Sequence, residues 1–398
     1  MALPLDGIRA VEVANYVAVP AAGAILADLG ARVIKVEPPP RGEMLRRSKP
    51  RYAGYVSEFP EGPAFHMENR GKDSLLVDLT RPEAREVLLR LIDTADIFLT
   101  NLLPSRRRRF GLDAETLHGR RPELIFAALN GYGSRGEQAD WPAFDYTAYW
   151  ARTGMMDLMR DEGSEPAMQR PGIGDHAAAS NLVCGILAAL RMRDRDGRGR
   201  SVEVSLLQTG LHVLGNDLAV ALVTGEPVRR HDPRHPPNPL WNRYRTGDDR
   251  WLLLVMIEPD RYFERVFRAI GRDDVAGDPR YREPFERMAH AEELARILSE
   301  TFATRSLEEW APRLDAAGVI WAPMARIEDA IRDPQARANG YFHTLEHPDA
   351  GRFETLGAPF RIDGVPIGPR RAIGPPGARA REILAEAGID PSEAEKLT

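Results

Sequence analysis

The chain has 398 residues, 43% hydrophobic and 28% charged, enough for a large core and for two domains at roughly 150 residues each. A formal charge of −5 offers no basic surface to a nucleic-acid partner, and none is expected. The one cysteine, Cys184, excludes an intrachain disulfide, fits a reducing cytoplasmic setting, and reads as a packing residue inside an apolar run. The opening residues lack the basic and apolar regions of a signal peptide. The longest apolar run, residues 177–190, falls short of the ~20 residues that span a bilayer, so a soluble protein without a membrane partner is expected.

Residues 8–14 alternate as a half-buried strand does, 20–29 form a small-residue helix closed by Gly30, and 33–37 form a strand stopped by Pro38-Pro39-Pro40. Such a β-α-β unit implies parallel strands with a right-handed crossover. Residues 74–79, 97–100 and 124–129 read as further strands, and 83–94 as an amphipathic helix with Pro82 near its start. Gly172-Ile173-Gly174-Asp175-His176 opens the small apolar run, a charged turn follows (193–200), and Ser201-Val202-Glu203-Val204-Ser205 alternates again. Residues 225–245, rich in Pro, Gly and basic side chains, read as a loop or linker. Beyond it, 251–257 is a strand, 261–270, 291–303 and 306–317 are helices, and 319–327 closes the unit. Residues 352–356 form a strand and 378–387 a last helix. The expected fold is α/β: an open, mostly parallel Rossmann-like sheet with helices on both faces, plus a smaller α+β domain. The expected partition is a large domain over 1–195, a connecting helix and strand region over 196–225, a small domain over 226–330, and 331–398 returning to the large one.

Gly131-Tyr132-Gly133-Ser134-Arg135-Gly136 follows a strand and matches G-x-G-x-x-G. No helix opens from it and no acidic strand end follows, so it reads as a turn rather than a dinucleotide site. His231 and His235 have zinc-helix spacing, but Pro233, Pro236, Pro237 and Pro239 exclude a helix; no metal is expected. Arg106-Arg107-Arg108-Arg109 is either a solvated face or a phosphate grip in a strand-end loop. Met155, Met156, Met159 and Met168 read as core filling, or with Trp141, Tyr149 and Trp150 as an apolar pocket wall. Asp175 has two readings of its own: the N-cap of the following helix, or a carboxylate held at a helix mouth for chemistry.

Taken together the blocks resemble the class III coenzyme A transferases, the CaiB/BaiF family. The resemblance rests on Asp6 to Val13, Ala27 to Glu37, Asn69 to Ser74, Ala95-Asp96-Ile97 with Asn101, Arg109-Phe110-Gly111-Leu112 and Asn130-Gly131-Tyr132-Gly133. Glu309-Trp310, Ala322-Pro323, Asp333-Pro334-Gln335 and Gly340-Tyr341-Phe342 continue it. It implies that Asp175 is a nucleophile, and that coenzyme A meets Asn15, Tyr16, Val17, Lys72, Asn101, Arg106, Arg109 and Asn130. Pro38 stands where some relatives carry an arginine, for which Arg41 or Arg46 is expected to compensate. No glycine loop stands near Pro236 to Leu240.

The implied reaction moves coenzyme A from an acyl-CoA donor to a free carboxylic acid through an aspartyl anhydride and thioester. It uses no resident cofactor and no metal, with coenzyme A as substrate. Backbone N–H groups near Gly174 are expected to hold the oxyanion. The resemblance also implies an interlocked homodimer. The alternatives are an acyl-CoA racemase, whose Gly-His-Asp stretch is here Ala143-Phe144-Asp145, a CoA-ester-binding protein without the nucleophile, or an NAD-dependent oxidoreductase resting on the glycine motif alone.

Overall fold

A computed structural model describes residues 2–48, 51–52, 55–56 and 59–398. Six strands make one parallel sheet: β1 (Arg9–Val13), β2 (Arg32–Glu37), β3 (Asp73–Leu76), β4 (Ile97–Thr100), β5 (Ile125–Asn130) and β6 (Arg200–Ser205). Their spatial order is β3-β2-β1-β4-β5-β6, with Val11 beside both Ile34 and Phe98. Side chains alternate across a strand, so the four inner strands each feed two cores. Ala10, Val33, Leu99 and Ala127 pack under α1 (Ala18–Asp28) and α6 (Ile173–Asp196). Val11, Ile34, Phe98 and Phe126 pack under α3 (Pro82–Ile92) and α12 (Ala380–Glu386). Between α1 and α3 in the chain lies α2 (Pro63–Asn69), which sequence periodicity did not indicate.

Two further helices were hidden by charge. The arginine run forms no loop: Pro104 takes the first turn of α4 (Pro104–Phe110), and Gly111 ends it in the left-handed region. Then α5 (Ala114–Arg120) is capped by Asp113, whose side chain accepts the Thr116 N–H. The helix around the apolar run is longer than that run. At 24 residues, α6 has the length and composition of a membrane span, yet Ala178, Ala179, Leu182, Val183 and Ile186 are buried in the protein core. Cys184 corrects the packing expectation, because it lies on the exposed side of this helix.

Residues 196–225 carry β6, α7 (Leu206–Val213) and α8 (Gly215–Thr224), and cluster with the sheet. Residues 337–398 do so too. Their hairpin, Phe342–His347 with Gly351–Leu356, includes a first strand that the sequence reading missed. The segment after it runs along the sheet's outer strand: Arg371 and Arg379 both pair with Asp73, and the Gly377 N–H donates to Ser74 Oγ.

A second unit comprises residues 157–167 and 227–336. Here the expected loop over 225–245 ends in a strand, Trp241–Arg245, because Asn242 and Tyr244 alternate inward and pair with Trp251–Val255. Trp321–Pro323 adds the third strand. Helices α9 (Pro259–Ala269), α10 (Ala291–Phe302) and α11 (Leu307–Ala316) close a core around Tyr244, Phe267, Phe302 and Trp310. His231 meets Asn242 and His235 meets Asp232, each through a hydrogen bond.

Candidate active site

Strand order reverses between β1 and β4, and in open parallel sheets ligands settle outside the carboxyl ends at such a reversal. The two loops there are tied reciprocally. The Asn15 N–H donates to Asn101 Oδ1 at 3.1 Å, and Asn101 Nδ2 donates to the Asn15 carbonyl at 2.7 Å. Tyr16 is left-handed (φ 65), a strained setting for a residue with a side chain, and its N–H donates to Glu43 Oε2 at 2.7 Å. Val17 leads into α1. Beside this clamp lies a cleft of about 350 Å³ whose lining includes Asn15, Pro38, Thr80, Leu102, Arg106 and Phe110. On α4, Arg106 and Arg109 are exposed whereas Arg107 is buried against the Phe126 ring.

Three of the expected contacts depart from this cluster. Lys72 is fully buried, and its Nζ donates to Glu12, Asn69 and the Pro20 carbonyl, leaving no face for a ligand. Asn130 is buried and spent on structure: it donates to Glu203 and accepts the Gly133 N–H, pinning the glycine turn. Arg46 cannot stand in for an arginine at Pro38, because it is buried against Glu37, Glu61 and the Gly374 carbonyl. Arg41 remains exposed.

Asp175 is not a cap. Helix α6 starts at Ile173, behind a left-handed Gly172 (φ 83), which puts Asp175 on the third helical residue. The capping is done from a distance by Asp145, whose buried carboxylate accepts the N–H of Gly172 at 2.8 Å. The Gly172 amide is therefore not free for an oxyanion. The amide of Asp175 itself has no acceptor among the described residues. At Gly174 a Cβ would lie 2.5 Å from Tyr149 Cγ, and at Gly172 one would lie 3.7 Å from Val17 Cγ1. The head of α6 thus rests against the reversal-point loops, and the Tyr16 ring meets Phe144 edge-on at 5.4 Å. Gly174→Ala should cost about 1–3 kcal/mol by overpacking and displace Asp175 with it; full stability in that variant would contradict the packing argument.

The Asp175 carboxylate is half-buried and makes no hydrogen bond or ion pair among the described residues. Burial first, then the like charges of Asp145 and Glu68, push it up to about 7, against the pull of His176. His176 Nε2 bonds Glu68 Oε1 at 2.9 Å, and that bond raises the imidazole above its ordinary range. Asp145 and Glu68 were not found as site residues from sequence; their distance along the chain from Asp175 leaves no local signal. The methionine expectation holds only in part, since Met155 is buried but Met159 and Met168 are exposed. Tyr149 and Trp150 are core residues, and Trp141 is exposed.

Comparison with known proteins supplies the family. The profile of CoA-transferase family III matches residues 5–379. The chain is 32% identical to the (R)-2-hydroxy-4-methylpentanoate CoA-transferase of Clostridioides difficile, over 91% of this chain and 90% of that one. It is also 32% identical to the cinnamoyl-CoA:phenyllactate CoA-transferase of Clostridium sporogenes, over 98% and 95%. A CAIB/BAIF family protein from Brucella suis superposes with a TM-score of 0.86 at 27% identity, covering 97% of this chain and 100% of that one. With a family profile spanning nearly its whole length and such relatives on either side, this chain belongs to CoA-transferase family III.

Proposed function

We propose that the chain carries coenzyme A from an acyl-CoA to a free carboxylic acid through covalent intermediates on Asp175. The observation behind this is the state of that carboxylate: half-buried, unpartnered, and next to the loops of the sheet's reversal point. A carboxylate is a weak nucleophile in water, so partial drying and fixed position must raise its reactivity. Asp175 attacks the acyl-CoA carbonyl, giving a mixed anhydride and CoA thiolate. The thiolate attacks the aspartyl carbonyl, giving an aspartyl thioester and releasing the donor acid. The acceptor carboxylate attacks that thioester, forming a new anhydride and freeing the thiolate again. The thiolate then takes the acceptor's acyl group and restores Asp175. Each bond broken is matched by one formed, so the cycle consumes neither ATP nor a metal-bound nucleophile. The Asp175 amide is the donor we assign to the oxyanions.

The nucleotide end of coenzyme A is read into the cleft with Asn15 and Arg106, its phosphates toward Arg106 and Arg109, and its pantetheine past Tyr16 and Val17 to Asp175. Asn101 shapes that path through its clamp on Asn15. Tyr16, Phe144 and Ile173 present exposed apolar surface near the nucleophile. The relatives above are named for (R)-2-hydroxy-4-methylpentanoate, cinnamoyl-CoA and phenyllactate, so acids with an apolar body beside the carboxylate are the first acceptors to test.

Protein loaded with acyl-CoA and treated with hydroxylamine should lose activity and carry a hydroxamate on the peptide containing Asp175. An unmodified peptide would sink the covalent route. The same chemistry sets a pH dependence. Asp175 is nucleophilic only when ionised, so activity is present above about pH 7 and lost as pH falls through that value, about tenfold per pH unit on the acid side.

We also read the protein as a cytoplasmic homodimer. Helix α8 buries none of its residues in this chain, and Val220, Leu222 and Val223 lie exposed along it. Light scattering that returned the mass of a single chain would end that reading.

A further inference from the structure

Three carboxylates and one imidazole meet at the head of α6. Asp145 holds the amide of Gly172, Asp175 has no hydrogen bond or ion pair among the described residues, and Glu68 reaches across from α2 to His176. These are the titratable groups that act on Asp175. Glu68 is 2% exposed, and its Oε2 has no hydrogen-bond partner. Its charge is therefore balanced through Oε1 alone, by His176. The imidazole in turn has Glu68 on Nε2, which favours its protonated form. Three neighbouring carboxylates in a half-dry site cannot all stay ionised without a cation among them.

We propose that Glu68 and His176 are a positioning pair for Asp175: Glu68 fixes the imidazole as a cation next to the nucleophile, and that cation offsets the charge of Asp145. Neither residue exchanges a bond with substrate. The pair acts by keeping Asp175 in the ionised form that attacks. This inference rests on Asp175 being the nucleophile, and its test is arranged to separate the two.

Two readouts are taken on His176→Gln, Glu68→Gln, the double variant and His176→Lys. One is the pH profile of kcat/KM. The other is the titration of the Asp175 carboxyl in the resting protein, followed by carboxyl-carbon NMR with Asp175→Asn for assignment. His176→Gln should move the midpoint of the acid limb up by about 1 pH unit, which near pH 6.5 is a loss of about tenfold, while the alkaline plateau stays within about threefold. Glu68→Gln removes a like charge together with the imidazole's partner, so it should move the midpoint less than His176→Gln does, and the double variant no further than His176→Gln. His176→Lys, which keeps a cation, should leave the midpoint at or below that of the unaltered protein. A purely structural role would lower activity at every pH and leave the midpoint in place, and that result would overturn the pair. If the NMR titration moves as stated but no CoA is transferred, the transfer reading fails and the charge coupling stands. If the titration does not move, the pair falls whether or not transfer occurs.

Discussion

Asp175→Asn should yield a folded protein that binds acyl-CoA and turns almost none of it over. The carboxylate forms no hydrogen bond or ion pair among the described residues, so the amide takes none away from the packing. It also removes one of three crowded negative charges, and thermal stability should hold or rise. What disappears is the carboxylate that we assign as the acyl acceptor. Loss of a covalent nucleophile lowers kcat by about 10⁴-fold or more, because the remaining groups can only position the substrate. Affinity for the acyl-CoA, measured by calorimetry, should stay within about threefold, since the cleft with Asn15 and Arg106 is untouched. Retained turnover with retained binding would mean that the nucleophile lies elsewhere. Lost binding would mean that Asp175 holds the thioester instead of attacking it.

The largest effect on stability should come from Glu12→Ala. Glu12, Lys35, Lys72 and Glu43 are all fully buried beneath the β1–α1 turn. Glu12 Oε1 takes Lys35 Nζ at 3.0 Å and Oε2 takes Lys72 Nζ at 2.7 Å; Glu43 pairs with Lys35 at 2.8 Å. Burial and the neighbouring Lys35 already push Lys72 down to about 8, and Glu12 is the main carboxylate that opposes this, with Glu43 behind it. Without it Lys72 is left in a dry interior with only the neutral oxygens of Asn69 and Pro20, while Lys35 keeps Glu43. Removing one member of such a buried set costs about 3–5 kcal/mol. Urea denaturation should show that loss, and a change below about 1 kcal/mol would mean that the cluster is wetter than its burial implies. The damage should also reach the cleft, because Glu43 pairs with Lys35 and holds the Tyr16 amide.

That cluster shows where sequence reading stops. The β1-α1-β2 pattern and the parallel sheet were legible because hydrophobic period and block order are local signals. Glu12 and Lys35 sit on strands as polar members of an alternation, which reads as a solvent face; α1 and α2 cover that face, and only tertiary pairing reveals it. Lys72 was misassigned to the ligand for the same reason. The helix at 104–110 was masked by its arginines, although Pro104 and Gly111 marked both ends. Asp145 was compared only with a racemase residue, and nothing nearby in the chain says that it caps a helix 27 residues on. The exposed Met159 and Met168 fail as core because a flexible apolar side chain carries no periodic signal of its own.

The bond from Gly377 to Ser74 joins residues 303 apart in the chain. On the ribosome, then, β3 emerges long before the segment that lies along it, and the whole smaller unit must be made in between. Through that interval the rim of the nascent sheet has open peptide groups that any other unfinished chain can pair with. The arginines that finally reach Asp73 complete assembly as well as stability, and the window before they arrive is when this protein is most exposed to misassociation.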